Sequence, residues 1–491
     1  MIDYRNWDAT ATAQAIKAGQ ITPYEAVKAA IDQVERLNKD YNAVSFLYKE
    51  EALSQAKMMT DFSPPFAGVP ILLKDAGQDY ADHPSTLSSS LLKDHLAAVN
   101  SHFVDDIIKA GFIIIGHTNA PEFALKFISD SHYRGTVPNP RNRDYHAGGS
   151  SGGAATALGL GMVPIAAASD GGGSIRIPAS FSGLIGLKPS RGRTASGPAS
   201  YRSWAGAAID FALTQSVRDT ANFLMAMQSQ DHDAMPFRLP ALSQDELITA
   251  KQGVKDLRIA YTTDNFIDDA LSQEAIQAVE TTAEHLKAAG FNVEKVHLTI
   301  SGNDLIRGYY VMNAVEQSKA FHQLGQARGH QIKRGEVEDT AYLLAEYGKY
   351  IPAWEYSQVF DQWDHLAAKF QAFHEKFDFL LQPATAKAAP KIGQTTIRED
   401  LLAQCKDFSV LGREELEELI LQALLPGTYY APYAYIYNLT GQPAISLPLH
   451  KTKAGLPFGL MFSARREGEA DLLAIADYLE CHNYFMGDYS I

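Results

Sequence analysis

Between residues 146 and 179 the chain reads HAGGSSGGAATALGLGMVPIAAASDGGGSIRIPA. Two glycine-flanked serines, Ser150 and Ser174, stand in this stretch with only small residues around them. A hydroxyl without bulky neighbours can be approached by a substrate. A glycine-rich backbone can also turn several N–H groups toward one point. The small residues over 154–160 predict a tightly packed helix. The apolar run over 163–168 predicts a strand that delivers the loop 169–174, while residues 135–153, rich in Gly, Pro, Asn, Arg and Ser, read as an irregular loop.

The flanking sequence alternates buried strands with helices. Thr22-Pro23 opens a helix, with the threonine as cap and the proline at the first helical position. Ala26, Val27, Ala30, Ile31 and Val34 follow at helical spacing. FAGVPILLK reads as a buried strand ending at Lys74, a helix near 100–110 ends at Gly111, and FIIIG (112–116) reads as another strand. This alternation is the signature of α/β layering. Residues 191–255 are mixed and turn-rich. Strands are expected at 257–262, 291–298 and 377–385, helices near 272–288 and 469–481, and mostly polar helix over 305–378. NLTGQPAISLPLH and GLPFGLMFSA read as paired central strands.

With 43 Lys plus Arg against 57 Asp plus Glu, the 491-residue chain carries a net charge of −14. That balance argues against nucleic acid as the main partner, because phosphate binding needs a basic surface. No apolar run approaches the ~18 residues that span a bilayer, and no targeting segment is seen, so a cytoplasmic protein is expected. Cys405 and Cys481 have the spacing of neither a disulfide framework nor a metal site, and read as two free, buried thiols. No metal and no cofactor is expected, since the phosphate and dinucleotide glycine patterns fail.

Gly148-Gly149-Ser150-Ser151-Gly152 satisfies G-x-S-x-G, but the nucleophile elbow needs a strand just before the serine. PNPRNRDYHAGG cannot be a central strand. None of the fifteen histidines sits in a catalytic setting, and His146 reads as a surface residue. A serine hydroxyl still needs a base. Lysine can serve only if burial lowers its reference pKa of about 10.4. Lys74, after Val69-Pro70-Ile71-Leu72-Leu73, is either a solvated strand terminator or such a base. A base, a relay and a nucleophile can be drawn from Lys74, Ser150 and Ser174. The Gly171-Gly172-Gly173-Ser174 amides can hold an oxyanion. Asp170 and Arg176 are expected to form a buried ion pair that rigidifies this loop, and Ser151 either supports the serines or shapes the loop.

GVPILLKD, GGSSGG and SDGGGSIRIPA, in this order, resemble the amidase signature family, and the resemblance extends to NLTGQPAISLP and GLPFGL. It weakens over about 195–375. The resemblance implies an α/β fold with a large mixed β-sheet core covered by helices on both faces. It also implies one domain over 1–491, with a signature core at 60–190 and a variable helical region at about 195–375. It further implies a Ser–cis-Ser–Lys triad: Ser174 as nucleophile, Ser150 as bridging serine after a non-proline cis peptide, and Lys74 as base. Gly171, Gly172, Gly173 and the Ser174 amide would form the oxyanion hole. The family usually has Thr-Asp-x-Gly-Gly-Ser where this chain has Ser169-Asp170-Gly171-Gly172-Gly173-Ser174, and the extra glycine is expected to loosen the loop.

The implied function is hydrolysis of a small linear or cyclic carboxamide through an acyl-enzyme, without membrane involvement. The sequence looks most like the general amidase and 6-aminohexanoate-cyclic-dimer hydrolase branch. A glutamyl-tRNA amidotransferase A subunit and a non-catalytic binding protein of the same fold stay open, as does assembly into a homodimer. LPGTYYAPYAYIYN (425–438) either lines an acyl pocket or packs in the core.

Overall fold

The computed structural model describes residues 2–228, 234–267, 271–394 and 396–486. Thirteen strands occur among them. In chain order they are β1 (Val44–Leu47), β2 (Pro70–Lys74), β3 (Ile113–Thr118), β4 (Asp130–Ser131), β5 (Gly135–Thr136), β6 (Ala166–Asp170) and β7 (Ile185–Lys188). Then come β8 (Ile209–Thr214), β9 (Arg258–Tyr261), β10 (Asn292–Lys295), β11 (Phe379–Pro383), β12 (Ala444–Lys451) and β13 (Pro457–Ala464). Eleven of these form one sheet in the order β1-β3-β2-β6-β8-β7-β12-β13-β11-β9-β10, and β4 pairs with β5 alone. The sheet is mixed. β2 runs parallel to β3 and β6, β6 is antiparallel to β8, and β12 is antiparallel to both β7 and β13.

Side chains alternate between the two faces of a strand, and the two main cores follow that alternation. Ile259, Phe379, Leu381, Phe458, Leu460 and Phe462 belong to one core, while Ala260, Leu380 and Met461 belong to the other. Helices cover both faces. The helix Pro23–Tyr41 packs on the first core through Val27, Ala30, Ile31 and Val34, with Ala26 also buried. It begins with the expected cap: Thr22 takes the Glu25 amide, and Glu25 takes the Thr22 amide in return. The expected polar helix over 305–378 is three helices, Gly302–Arg328, Asp339–Gly348 and Ala353–His374. Their scattered aromatics, among them Tyr309, Tyr310, Tyr347, Trp363 and Phe370, build the second core.

Several expectations need correction. The turn-rich region 191–255 holds β8, a strand near the sheet's centre, and the helix Val217–Met227. In NLTGQPAISLPLH only the second half is strand, because residues 436–440 close a short helix that ends at Gly441 with φ 76°. The two thiols are not both buried: Cys405 is half-buried and Cys481 exposed. Cys481 ends the helix Glu469–Cys481, whose inner stripe is Leu472, Ile475, Ala476 and Leu479. Its position falls off that stripe.

The antiparallel strand β8 is clamped by aromatic packing on one face. The Phe223 ring lies 5.1 Å from Phe211 on β8, 5.8 Å from Phe112 and 6.4 Å from Phe103. Replacing a buried phenylalanine by alanine costs about 3–5 kcal/mol through lost transfer energy and the cavity left behind. Phe223→Ala is therefore expected to lower the unfolding free energy by that amount, seen as a lower urea midpoint at unchanged slope. A midpoint like that of the wild type would show that this cluster does not support the sheet.

Candidate active site

Lys74 ends β2, whose five residues are all buried, and the lysine itself has no exposed surface. The solvated-terminator alternative is thereby excluded. Its Nζ lies 2.7 Å from Ser150 Oγ and 2.9 Å from Ser169 Oγ. It forms no ion pair among the described residues. Burial brings its pKa down to about 7, against the opposing pull of Asp210 and Asp170. An amine in that range is partly neutral near pH 7 and can accept a proton.

Ser150 is placed by contacts in which the backbone is nearly touched. The Gly149–Ser150 peptide is cis, and Gly148 has φ +88°. A Cβ on Gly149 would stand 2.6 Å from the Ile128 carbonyl carbon, and one on Gly152 2.5 Å from Ser129 Oγ. The Gly152 amide donates to that hydroxyl at 2.9 Å and opens the helix Gly152–Gly159. The glycines around the serine pair are thus required by close approach of residues 128–129. Ser151 makes no hydrogen bond to Lys74, Ser150 or Ser174 among the described residues. Its hydroxyl donates to the Ser169 carbonyl at 3.3 Å and lies 3.4 Å from the Ser169 amide, which holds the end of β6 in place.

The loop after β6 is organised by Asp170. Its carboxylate accepts from Arg176 Nε and Nη2, both at 2.9 Å, and both residues are wholly buried. Asn438 completes the cluster: its Nδ2 donates to Asp170 Oδ1 at 2.9 Å and to the Asp170 carbonyl at 2.8 Å, and its Oδ1 accepts from Arg176 at 2.7 Å. Burial works to raise the Asp170 carboxyl, but Arg176 and Asn438 hold it down at about 2. Asn438 was not singled out from the sequence, although it begins the NLTG motif that carried part of the resemblance.

The same carboxylate takes the Gly173 amide at 2.7 Å and the Ile175 amide at 3.2 Å. The Gly173 N–H therefore serves Asp170, which corrects its expected place among the oxyanion donors. The amides of Gly171, Gly172 and Ser174 donate to no described residue. The loop is not loosened by its third glycine either. A Cβ on Gly171 would stand 2.7 Å from the Trp204 ring, and one on Gly173 2.6 Å from Ala434 Cβ. The glycines fit because aromatic and aliphatic side chains leave no room for a Cβ.

Ser174 and Ser150 both open on a cavity of about 380 Å³, bordered also by Ser169, Gly171, Trp204 and Asp210. The Ser174 hydroxyl has no hydrogen-bond partner among the described residues. A second, narrow cavity of about 40 Å³ shares Ser174, Ala124 and Trp204 and is walled by Phe127, Tyr309 and Leu424. Neither is lined by Tyr433, Tyr435 or Tyr437. These tyrosines are buried, and Tyr433 and Tyr435 donate to the carbonyls of Asp264 and Gly302, so this part of the tyrosine-rich segment is core. His146 is buried as well, correcting its expected surface position: its amide donates to the Pro390 carbonyl, and burial lowers its pKa. Among the described residues no His, Cys, Asp and Glu group could hold a metal ion. No helix among them is long and apolar enough to cross a membrane.

Comparison with known proteins gives a consistent set of relatives. The family model described as Amidase matches residues 25–473. The chain is 35% identical over 484 residues to a lipoamidase of Enterococcus faecalis, covering 97% of this chain and 63% of that protein. The chain thus spans less than two thirds of that relative's length. It is 30% identical to the 6-aminohexanoate-cyclic-dimer hydrolase of Paenarthrobacter ureafaciens over 96% of this chain and 94% of that one. A solved structure of 6-aminohexanoate cyclic dimer hydrolase with substrate superposes at a TM-score of 0.85 with 28% identity, covering 98% of this chain and 97% of that one.

The Asp170 cluster has a stability consequence whose sign is fixed. A carboxyl held at about 2 when folded, against 3.8 ordinarily, stabilises the fold above the ordinary value, and that stability is lost as pH falls through about 2. Asp170→Asn leaves Arg176 buried without its counter-charge, which costs about 3–5 kcal/mol. The variant is expected to be less stable than wild type at pH 7 and to lose less further stability between pH 4 and 2. Parallel denaturation curves at the two pH values for both proteins would contradict this assignment.

Proposed function

Because the chain belongs to the amidase family, we propose that it hydrolyses the C–N bond of a small linear or cyclic carboxamide through an acyl-enzyme on Ser174. The observation that carries this reading is the buried Lys74 amine within 2.7 Å of the Ser150 hydroxyl, with no acid paired to it among the described residues. Neutral Lys74 accepts the Ser150 proton while Ser150 accepts that of Ser174. Both hydroxyls border one cavity, and the relay requires the Ser174 side chain, unbonded among the described residues, to turn toward Ser150. Ser174 Oγ then attacks the amide carbonyl. The developing oxyanion is met by amides among Gly171, Gly172 and Ser174, which have no competing partner among the described residues. Each such donor is worth about 2.7–4 kcal/mol in the transition state.

Collapse of the tetrahedral adduct breaks the C–N bond, and the proton returns through Ser150 to the leaving amine. Water, deprotonated by the same relay, attacks the acyl-enzyme and releases the carboxylate. The substrate class draws on the relatives, one named for a lipoyl amide and one for a cyclic amide, and on the narrow, largely apolar cavity beside Ser174.

Amine or ammonia release from a panel of a linear aliphatic amide, an aryl amide, glutamine and the cyclic 6-aminohexanoate dimer tests the reading. Ser174→Ala is expected to lower turnover by about 10⁴-fold or more, as for other nucleophiles that act as part of a unit. In the wild type kcat/KM is expected to fall on the acid side with a midpoint near the Lys74 value of about 7, since protonated Lys74 cannot accept. Full activity in Ser174→Ala would remove Ser174 from the chemistry.

A further inference from the structure

Asp210 stands beside this machinery, and no step above uses it. It lies on β8, directly opposite Ser169 across the antiparallel ladder with β6. Opposed residues in such a pair share a face. The carboxylate is therefore on the side of the Ser169 hydroxyl, which is itself 2.9 Å from Lys74 Nζ. Gln78 ties the two elements together. Its Oε1 accepts from the Lys74 amide at 2.7 Å, and its Nε2 donates to Asp210 Oδ1 and to the Ala168 carbonyl, both at 3.0 Å. Asp210 also borders the cavity that holds Ser150 and Ser174.

The other acid near the lysine is already engaged. Asp170 is paired with Arg176 and bonded to Asn438. Asp210, by contrast, forms no ion pair among the described residues and is held only by a neutral amide. An acid placed so has no cation among the described residues to hold it ionised.

We propose that Asp210 is a positioning residue that sets the proton occupancy of Lys74: as a carboxylic acid it leaves Lys74 a neutral base, and as a carboxylate it retains the proton on Lys74. This deepens the serine–lysine reading and rests on it. Burial pushes the Asp210 carboxyl up to about 7, with Gln78 and Lys74 drawing it down and Asp79 pushing it up. Burial brings Lys74 to about 7 from the other direction, with Asp210 and then Asp170 holding it up. His117 on β3 faces the Gln78 carbonyl, and burial keeps it neutral with a value of about 4. Two interacting groups in one range titrate as a pair, so a single proton is shared between an acid and an amine at neutral pH.

A fluorophosphonate that labels activated serines tests this without knowledge of the substrate. Its rate of reaction with Ser174 is followed from acid to alkaline pH in the full-length wild type, Asp210→Asn and Asp210→Ala. Removing the carboxylate removes a charge that retains the Lys74 proton. The acid limb is therefore expected to move to lower pH by about one unit in both variants, equivalent to about tenfold faster labelling, relative to each plateau, on that limb. A limb that stays in place in the folded variants overturns the proposal while leaving the serine relay intact. A wild type that is not labelled at any pH overturns the relay, and the role of Asp210 with it. If neither variant folds, NMR of the wild type with 13C at the lysine Cε and aspartate carboxyl positions decides. Lys74 and Asp210 signals that inflect together near neutral pH support the proposal. A Lys74 inflection with no matching change at Asp210 overturns it.

Discussion

An amine buried at the end of β2, with hydroxyls rather than a carboxylate at hydrogen-bond distance, sets the terms for the rest of the site. A charged lysine in that position would lack most of its hydration, and a neutral partner returns only part of it. The result is a group that is easily neutral. Had Asp170 been free to pair with Lys74, the amine would have been locked as a cation. The Arg176 guanidinium and Asn438 prevent this by engaging both Asp170 oxygens. The ion pair behind the loop thus serves the lysine in front of it, although the two never touch.

That arrangement also explains why the loop after β6 is glycine-rich without being slack. Asp170 accepts from the Gly173 and Ile175 amides, while those of Gly171, Gly172 and Ser174 have no partner among the described residues. Trp204 and Ala434 close in where side chains would otherwise be. Flexibility in the sequence has become rigidity in the fold, because each missing Cβ is replaced by a neighbouring group. Preorganised donors are most useful when they need no rearrangement as charge develops.

Lys74, Ser150, Ser174 and the Asp170–Arg176 pair could be singled out from the sequence because each sits in a local pattern: an apolar run ending in a cation, or a serine among glycines. The layering was legible for the same reason, since buried strands such as β2 and β3 are short apolar runs. What escaped was non-local. β8 reads IDFALT, with an aspartate in its second position and turn-rich sequence before it, so nothing local marks it as a strand beside β6. Asn438 joins its cluster from far along the chain, and its role comes from packing alone. Glycine spacing showed that backbone approached backbone near Ser150 but not that residues 128–129 were the partner. The same blindness misplaced Gly173, whose amide direction depends on a carboxylate already visible in the sequence.

Taken together, the groups around Ser174 share one property: each is left short of a partner that a substrate or a proton could supply. Among the described residues three amides meet no acceptor and the Ser174 hydroxyl is unbonded, and Asp210 has a neutral amide where an acid commonly has a cation. Unsatisfied polar groups are unfavourable in a fold, and they persist only where the surrounding structure holds them. Here the holding is done by the fully buried strand β2, by the Asp170 cluster and by the aromatic packing under β8. An amide carbonyl entering the cavity would give the backbone N–H groups an acceptor and the Ser174 hydroxyl an electrophile. The stability forgone at the site is then recovered where charge develops, which is the condition for an interaction to raise the rate instead of merely tightening substrate binding.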